Sequence, residues 1–132
     1  MSSAGKRASS TADRLIRLLL VDDDDVDREK FRRLLRRSGL VTEVEEVASG
    51  REAIARLKER KFDCVVVDYR LGDTTGTDLV RSVKEACSTP VPVIMVTGLG
   101  DEQVAVNAMR EGAYDYLSKN RLEPENIASA IE

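Results

Sequence analysis

Histidine and tryptophan are absent from this 132-residue sequence, and cysteine occurs only twice. Without histidine, the chain itself supplies no imidazole base, no imidazole metal ligand and no phosphohistidine. Cys64 and Cys87 are too far apart in the sequence to form a CxxC pair, so neither a zinc site nor a disulfide framework is predicted. We expect both residues to be small core thiols of a protein in a reducing compartment.

The sequence also has neither a large excess of one charge nor a long apolar run. The chain has 21 basic and 24 acidic residues, which gives a formal net charge of −3. This balance produces no overall field that would favour nucleic acid or an anionic membrane as a partner. No apolar run approaches the ~20 residues of a membrane-spanning helix, and the N-terminus lacks the apolar segment of a secretory signal. We therefore expect a cytoplasmic protein that binds neither nucleic acid nor membrane directly.

The chain divides into a short tail and one domain. Residues 1–13 are small, polar and aperiodic, so we expect a disordered N-terminal tail. Residues 14–132 alternate short apolar runs with amphipathic segments, which predicts five strands and five helices. The runs 64–67 and 93–96 are apolar at every position, as in strands covered on both faces, whereas 41–47 alternates like an edge strand. The pattern predicts an α/β fold with a doubly wound, mainly parallel sheet.

Reactive side chains follow four of the apolar runs. Asp22–Asp25 follow the first run, Asp68 the third, Thr97 the fourth and Lys119 the fifth. Ligands of open α/β sheets bind at the carboxyl ends of the strands, where these residues would meet. Two carboxylates ~4 Å apart repel by about 4 kcal/mol at an effective dielectric constant of about 20, so a divalent cation, Mg²⁺ or Mn²⁺, is predicted. Carboxylates, a hydroxyl and an amine around one cation can form and hold an aspartyl phosphate, which predicts phosphoryl transfer.

These residues and their spacing resemble the response-regulator receiver family over the span Leu15–Glu132. That family has paired acids after its first strand, an acceptor aspartate after its third, a threonine or serine after its fourth and a lysine after its fifth. Gly76, eight residues after Asp68, and Tyr116, three residues before Lys119, also match. The resemblance implies a flavodoxin-like receiver fold with strand order 2-1-3-4-5.

The resemblance also implies a role for each matched residue. Asp68 would accept a phosphoryl group from a phosphohistidine on a histidine kinase or histidine phosphotransfer protein. Lys119 and Thr97 would contact the phosphoryl oxygens. The implied metal ligands are Asp22, Asp23, Asp68 and the backbone carbonyl of Arg70.

Further residues would tune the site and carry its signal. Gly98 leaves room for the phosphodonor, and Arg70 and Leu99 flank the phosphoryl group and tune its hydrolysis. Thr97 and Tyr116 are implied to shift together when phosphate binds, which remodels the face of the fourth helix, fifth strand and last helix. That face would bind a downstream protein, a fused output domain or a second copy in a homodimer. It comprises the predicted segments 101–112, 113–119 and 124–132.

Two other functions remain open on the sequence. Residues 22–26 also fit the DxDx[TV] pattern of haloacid-dehalogenase phosphatases, with Asp22 as nucleophile and Asp24 as acid-base. The other alternative is a receiver-like module that binds a partner without being phosphorylated. On the receiver interpretation the chain is no enzyme beyond its own phosphotransfer and slow autodephosphorylation, and Asp25 is a candidate cap of the helix that follows.

Overall fold

The computed structural model describes residues 14–98, 102–119 and 122–131. Strands and helices alternate along this part of the chain, as the sequence pattern predicts, and the predicted tail 1–13 lies outside the described residues. The strands are β1 (Ile16–Val21), β2 (Thr42–Val47), β3 (Cys64–Asp68), β4 (Val93–Thr97) and β5 (Asp115–Ser118). The helices are α1 (Asp25–Arg37), α2 (Gly50–Glu59), α3 (Gly76–Ala86), α4 (Glu102–Glu111) and α5 (Pro124–Ile131).

The strands form one parallel sheet in the order β2-β1-β3-β4-β5, which confirms the predicted fold and strand order. β1 pairs with β2 on one side and β3 on the other, and β4 lies between β3 and β5. β2 is therefore an edge strand, as its alternating sequence predicts. Every residue of β3 and β4 is buried, which agrees with the apolar runs 64–67 and 93–96 that they contain. All strands end at the same edge of the sheet.

Alternate residues of the central strands enter two hydrophobic cores, one on each face of the sheet. Burying one such side chain is worth about 1.5–3 kcal/mol, so this alternation fixes the register of the strands and the place where each ends. The core under α1 and α5 contains Leu18, Leu20, Val66, Ile94 and Val96 with Phe31, Leu35, Ile127 and Ala130. The core under α2, α3 and α4 contains Leu19, Val21, Val65, Val67 and Met95 with Ala53, Leu57, Leu79, Val80, Val83 and Ala108.

α1 and α2 begin at capped N-termini beside the carboxyl edge of the sheet. The Asp24 carboxylate accepts a hydrogen bond from the backbone N–H of Val26 at 2.9 Å, so Asp24 is the N-cap of α1. Asp25, the candidate cap from the sequence, is instead the first helical residue. The prediction missed by one position because several consecutive aspartates could each serve as a cap. Ser49 caps α2 by accepting from the backbone N–H of Glu52 at 3.1 Å.

Ion pairs cover the outer strand β2. Glu45 lies 2.6 Å from Arg56 of α2, and Glu46 lies 3.0 Å from Arg28 of α1. Glu45 thus joins β2 to α2 on one face of the sheet, and Glu46 joins β2 to α1 on the other face. Charged side chains along an edge strand also hinder its pairing with strands of other molecules.

Cys64 is buried in β3 and Cys87 is half-buried after α3, and both are free thiols. Among the described residues, no helix has the length and apolar character needed to cross a membrane.

Candidate functional site

The polar side chains selected from the sequence gather at the carboxyl edge of the sheet. Asp22 follows β1, Asp68 ends β3, Thr97 ends β4 and Lys119 follows β5. Within the described part of the chain, the buried polar or charged residues are Asp22, Asp68 and Thr97, with exposed fractions of 7%, 6% and 3%. Burial of polar groups costs free energy unless they find partners. Their concentration at one edge therefore identifies this edge as the candidate site.

Three acids of the site lie close together. Asp22, Asp23 and Asp68 each provide one carboxylate oxygen, and these oxygens all lie within 4.8 Å of one another. The turn after β1 holds this arrangement, because Asp22 Oδ1 accepts a hydrogen bond from the backbone N–H of Asp24 at 2.9 Å. Close carboxylate oxygens are the ligands that hard divalent cations prefer. The residues present therefore fit a cation such as Mg²⁺.

Lys119 brings a positive charge to these acids. Its Nζ atom lies 3.4 Å from Asp68 Oδ1 and 3.1 Å from Asp27 Oδ2. The first contact joins the two predicted residues, but the second involves a residue of α1 that the sequence analysis missed. No sequence signal separates Asp27 from the capping acids beside it, because its partner lies 92 positions away.

Burial and charge shift the ionisation of the site. Burial raises the pKa of Asp22 to about 6, although the hydrogen bond from Asp24 opposes this shift. Burial also raises the pKa of Asp68 above its ordinary value, while the charge and hydrogen bond of Lys119 lower it. Burial alone would lower the pKa of Lys119, but its hydrogen bond to Asp27 and the nearby negative charges outweigh burial and raise that pKa. Burial thus disfavours the charged forms of Asp22 and Asp68, and a bound cation would favour those charged forms.

β4 and β5 carry the other predicted residues. Thr97 pairs in register with the residue before Lys119, so the hydroxyl and the amine come from adjacent strand ends. Gly98 follows at a half-buried position. Tyr116 lies on β5 with 47% of its surface exposed. Leu99 lies outside the described residues.

Arg70 occupies the loop between β3 and α3. Its backbone N–H forms a hydrogen bond with the Asp68 carboxylate. Its guanidinium carbon lies 5.7 Å from the centroid of the Tyr69 ring, a cation–π distance. The backbone of Arg70 thus contacts Asp68 directly, while the Arg70 side chain packs over the ring of Tyr69.

A carboxylate later in this loop ties it to α2. Asp73 accepts hydrogen bonds from the backbone N–H groups of Gly50 and Arg51, both at 3.0 Å. These N–H groups have no partner within the helix, and their bonds lower the pKa of Asp73. Asp73 could not be predicted from the sequence, because its partners lie 22 and 23 positions away and nothing local indicates the contact.

A family model for the response regulator receiver domain matches residues 18–132. The chain belongs to the response regulator receiver family. This membership confirms the resemblance seen in the motifs, and it makes the chain a signalling module. The general function of such receiver domains is to accept phosphate in two-component signalling.

Relatives and solved structures agree with this assignment. The acid tolerance regulatory protein ActR of Sinorhizobium medicae is 35% identical over 115 residues, which cover 87% of this receiver domain and 58% of ActR. The chain thus spans little more than half the length of that relative. A response regulator receiver domain protein from Clostridium thermocellum has a TM-score of 0.78 at 30% identity, covering 88% of this chain and 90% of that chain.

A third similar protein was solved in a modified state. It is a response regulator protein from Burkholderia pseudomallei with a phosphorylated aspartic acid, a calcium ion and citrate. It matches this receiver domain with a TM-score of 0.75 at 27% identity, covering 89% of this chain and 66% of that chain.

The structure also bears on the phosphatase alternative. A phosphatase of that type would use Asp24 as its general acid and base. The Asp24 carboxylate instead accepts hydrogen bonds from the backbone N–H groups of Val26 and Asp27 at the start of α1. The phosphatase alternative also leaves Asp68 without a role, although Asp68 is buried beside Lys119. Family membership and geometry together favour the receiver.

Proposed function

We propose that this receiver domain accepts a phosphoryl group on Asp68 from a phosphohistidine of a histidine kinase or histidine phosphotransfer protein. The proposal rests on the contacts of the Asp68 carboxylate. The buried Asp68 carboxylate lies 3.4 Å from the Lys119 amine, and its ligand oxygen is within 4.8 Å of those of Asp22 and Asp23. The proposed nucleophile, Asp68, therefore has both a candidate cation site and an anion-binding amine beside it. The histidine must come from the partner, because this chain has none.

In the transfer, a carboxylate oxygen of Asp68 forms a bond to phosphorus while the phosphorus–nitrogen bond of the phosphohistidine breaks. The electron pair of the broken bond stays on the imidazole nitrogen, which takes up a proton. The ammonium group of Lys119 stabilises the negative phosphoryl oxygens, and the Thr97 hydroxyl donates a hydrogen bond to one of them. Gly98 has no side chain, so it leaves the phosphodonor room to approach.

Asp22, Asp23 and Asp68, together with the backbone carbonyl of Arg70, would hold Mg²⁺ or Mn²⁺. When bound, the cation would neutralise the acids and coordinate a phosphoryl oxygen. Burial raises the pKa of Asp22 to about 6, and this supports the assignment, because a bound cation would compensate a carboxylate that has lost much of its contact with water.

Arg70 and Leu99 would control how long the phosphoryl group survives. The family resemblance implies that both positions flank the phosphoryl group, where a bulky and an apolar side chain would restrict the water molecule that hydrolyses the acyl phosphate. Arg70→Asn is then expected to shorten the lifetime of the phosphorylated protein after the phosphodonor is removed. An unchanged lifetime would refute this role of Arg70.

The signal would leave through the α4-β5-α5 face. Contacts of Thr97 with the phosphoryl group would favour one of two arrangements of this face, and Tyr116 would move with Thr97. Exposed apolar side chains on the face support an interface: Val106, Met109, Tyr114 and Tyr116. Its occupant would be a downstream protein, a fused output domain or a second copy of the chain. Size-exclusion chromatography with and without phosphodonor tests the second copy, and elution at the monomer volume under both conditions would exclude the homodimer.

Acetyl phosphate and Mg²⁺ test phosphorylation without a kinase. The purified chain is expected to gain the mass of one phosphoryl group, which borohydride trapping and peptide mapping should assign to Asp68. Asp68→Asn should abolish the gain, while Asp78→Asn, which alters an exposed acid in the first turn of α3, should retain it. Phosphate on Asp22 would support the phosphatase alternative. No modification at all would support a module that binds without phosphorylation.

A further inference from the structure

Asp27 is a fourth carboxylate at the carboxyl edge of the sheet, and none of the roles above uses it. It lies in the first turn of α1, and its Oδ2 atom is 3.1 Å from Lys119 Nζ. The two distances from Nζ to Asp68, 3.4 and 3.5 Å, are longer. The amine that the proposed reaction needs at Asp68 therefore has its shorter hydrogen bond to a different carboxylate.

Asp27 and Asp68 compete for the same ammonium group. The side chains of Lys119 and Asp27 are 34% and 36% exposed, so their ion pair is only partly screened by solvent and salt. Asp27 also adds a negative charge beside three acids that already lie close together. A phosphoryl group on Asp68 would have to share this region with that charge.

Asp27, Asp68 and Lys119 line the same small cavity. The cavity has a volume of about 40 Å³, and its lining includes Asp22, Asp27, Asp68 and Lys119. A space of this size holds about one water molecule. The Lys119 amine thus shares one small space with the carboxylates of Asp27 and Asp68. The Asp27 carboxylate is not needed to cap α1, because Asp24 performs that role.

We propose that Asp27 is a positioning residue that holds the Lys119 amine in the unphosphorylated protein and, through its charge, slows phosphorylation of Asp68. The inference rests on the proposed function, because it concerns the same transfer to Asp68. As negative charge collects on the phosphoryl oxygens, Lys119 Nζ turns from Asp27 toward them. The Asp27 carboxylate opposes this step, because it attracts the amine and repels the incoming oxygens.

Asp27→Asn tests the proposal, because it removes the charge and keeps a hydrogen-bond acceptor for Lys119. With acetyl phosphate and Mg²⁺, the initial rate of Asp68 phosphorylation is expected to rise about two- to fivefold, the range that a partly exposed ion pair supports. Asp25→Asn is the matched control. It removes the same charge from the first turn of the same helix, and Asp25 has no ion pair with Lys119 in the part of the chain that the structure describes. Its rate should equal that of the wild type.

Salt dependence separates a charge effect from a folding effect. Added sodium chloride should narrow the difference between Asp27→Asn and the wild type, since salt screens repulsion between charges. An Asp27→Asn rate equal to or below the wild-type rate would overturn the inference, as would an equal rise in Asp25→Asn. A wild-type chain that gains no phosphate on Asp68 would instead overturn the proposed function, and that result is read from the wild-type reaction alone.

Discussion

Gly76 leaves no room for a side chain where the chain passes from the loop into α3. A β-carbon at this position would lie 2.9 Å from Tyr69 Cα and would overlap the side chain of Met95. Because Tyr69 directly follows Asp68, an added methyl group would press on the segment that carries the proposed acceptor. Gly76→Ala is expected to lower the free energy of unfolding by about 1–3 kcal/mol, measured by urea denaturation.

Gly72→Ala is the matched control in the same loop. A β-carbon there would have its nearest contact at 3.8 Å, with Asp23 Oδ2, which is an ordinary van der Waals distance. We expect Gly72→Ala to leave the free energy of unfolding unchanged or to raise it by up to about 1 kcal/mol. A loss equal to that of Gly76→Ala would show that the loop backbone, and not the contact with Tyr69 and Met95, determines the cost.

The positions of single residues were predictable only where the sequence carries a local signal. Asp68, Thr97 and Lys119 each follow a short apolar run, so the end of a strand could be located and its neighbours inferred. Asp27 and Asp73 have no such signal, because each acts through a partner that only the folded chain brings near. In a chain with 24 acidic residues, composition does not identify the two that make these contacts.

Elements were predictable to the extent that burial leaves a pattern in the sequence. β3 and β4 are apolar up to their last residues, Asp68 and Thr97, because helices cover both of their faces, and β2 alternates because it lies at an edge. Periodicity shows which side chains face a core, but it does not show which strands are neighbours. The strand order therefore came from the family resemblance, and the pairing of β1 with β3 confirms it.

The loop between β3 and α3 depends on its connection to α2. Asp73 binds two N–H groups at the start of that helix, and Asp73→Asn replaces one of the two acceptor oxygens by a donor. We expect a loss of about 0.5–1 kcal/mol in the free energy of unfolding at neutral pH, similar to the loss of a helix cap. Urea denaturation over a range of pH measures it, with Glu85→Gln as a control for the loss of one exposed charge.

The effect of Asp73→Asn on the free energy of unfolding is expected to depend on pH. The folded state lowers the pKa of Asp73, so its carboxylate stabilises the fold fully above its unfolded pKa of about 4. That contribution is lost as the pH falls through the lowered folded-state pKa. The difference between the wild type and Asp73→Asn should therefore be largest near neutral pH and shrink in acid. A difference that grows in acid would contradict the assigned hydrogen bonds.

The whole molecule should gain stability from the proposed cation. Its ligands follow different strands, so the site exists only in the folded chain, and binding to the folded state alone stabilises it by mass action. Mg²⁺ at about ten times its dissociation constant is expected to add about 1.4 kcal/mol to the free energy of unfolding. Thermal unfolding with and without MgCl₂, at matched ionic strength, measures the effect.

Asp23→Asn tests whether Mg²⁺ stabilises the protein by binding to the clustered carboxylates. Asp23 is exposed, so its substitution leaves both hydrophobic cores intact while removing one of the three clustered carboxylates. The stabilisation by Mg²⁺ should shrink or vanish in this variant. An equal stabilisation of Asp23→Asn and the wild type would mean that the cation acts elsewhere on the molecule.

The ends of four separate strands contribute to one pocket, and this limits what a phosphodonor can recognise. A peptide cut around Asp68 would contain the proposed acceptor but neither Lys119 nor the acids that follow β1. Such a peptide, or the denatured chain, is expected to be a poor substrate whatever residues flank the acceptor. The phosphodonor that we propose is therefore expected to distinguish this domain by its folded surface and not by a linear motif. Substrate choice can then change through surface substitutions while the reaction centre stays the same.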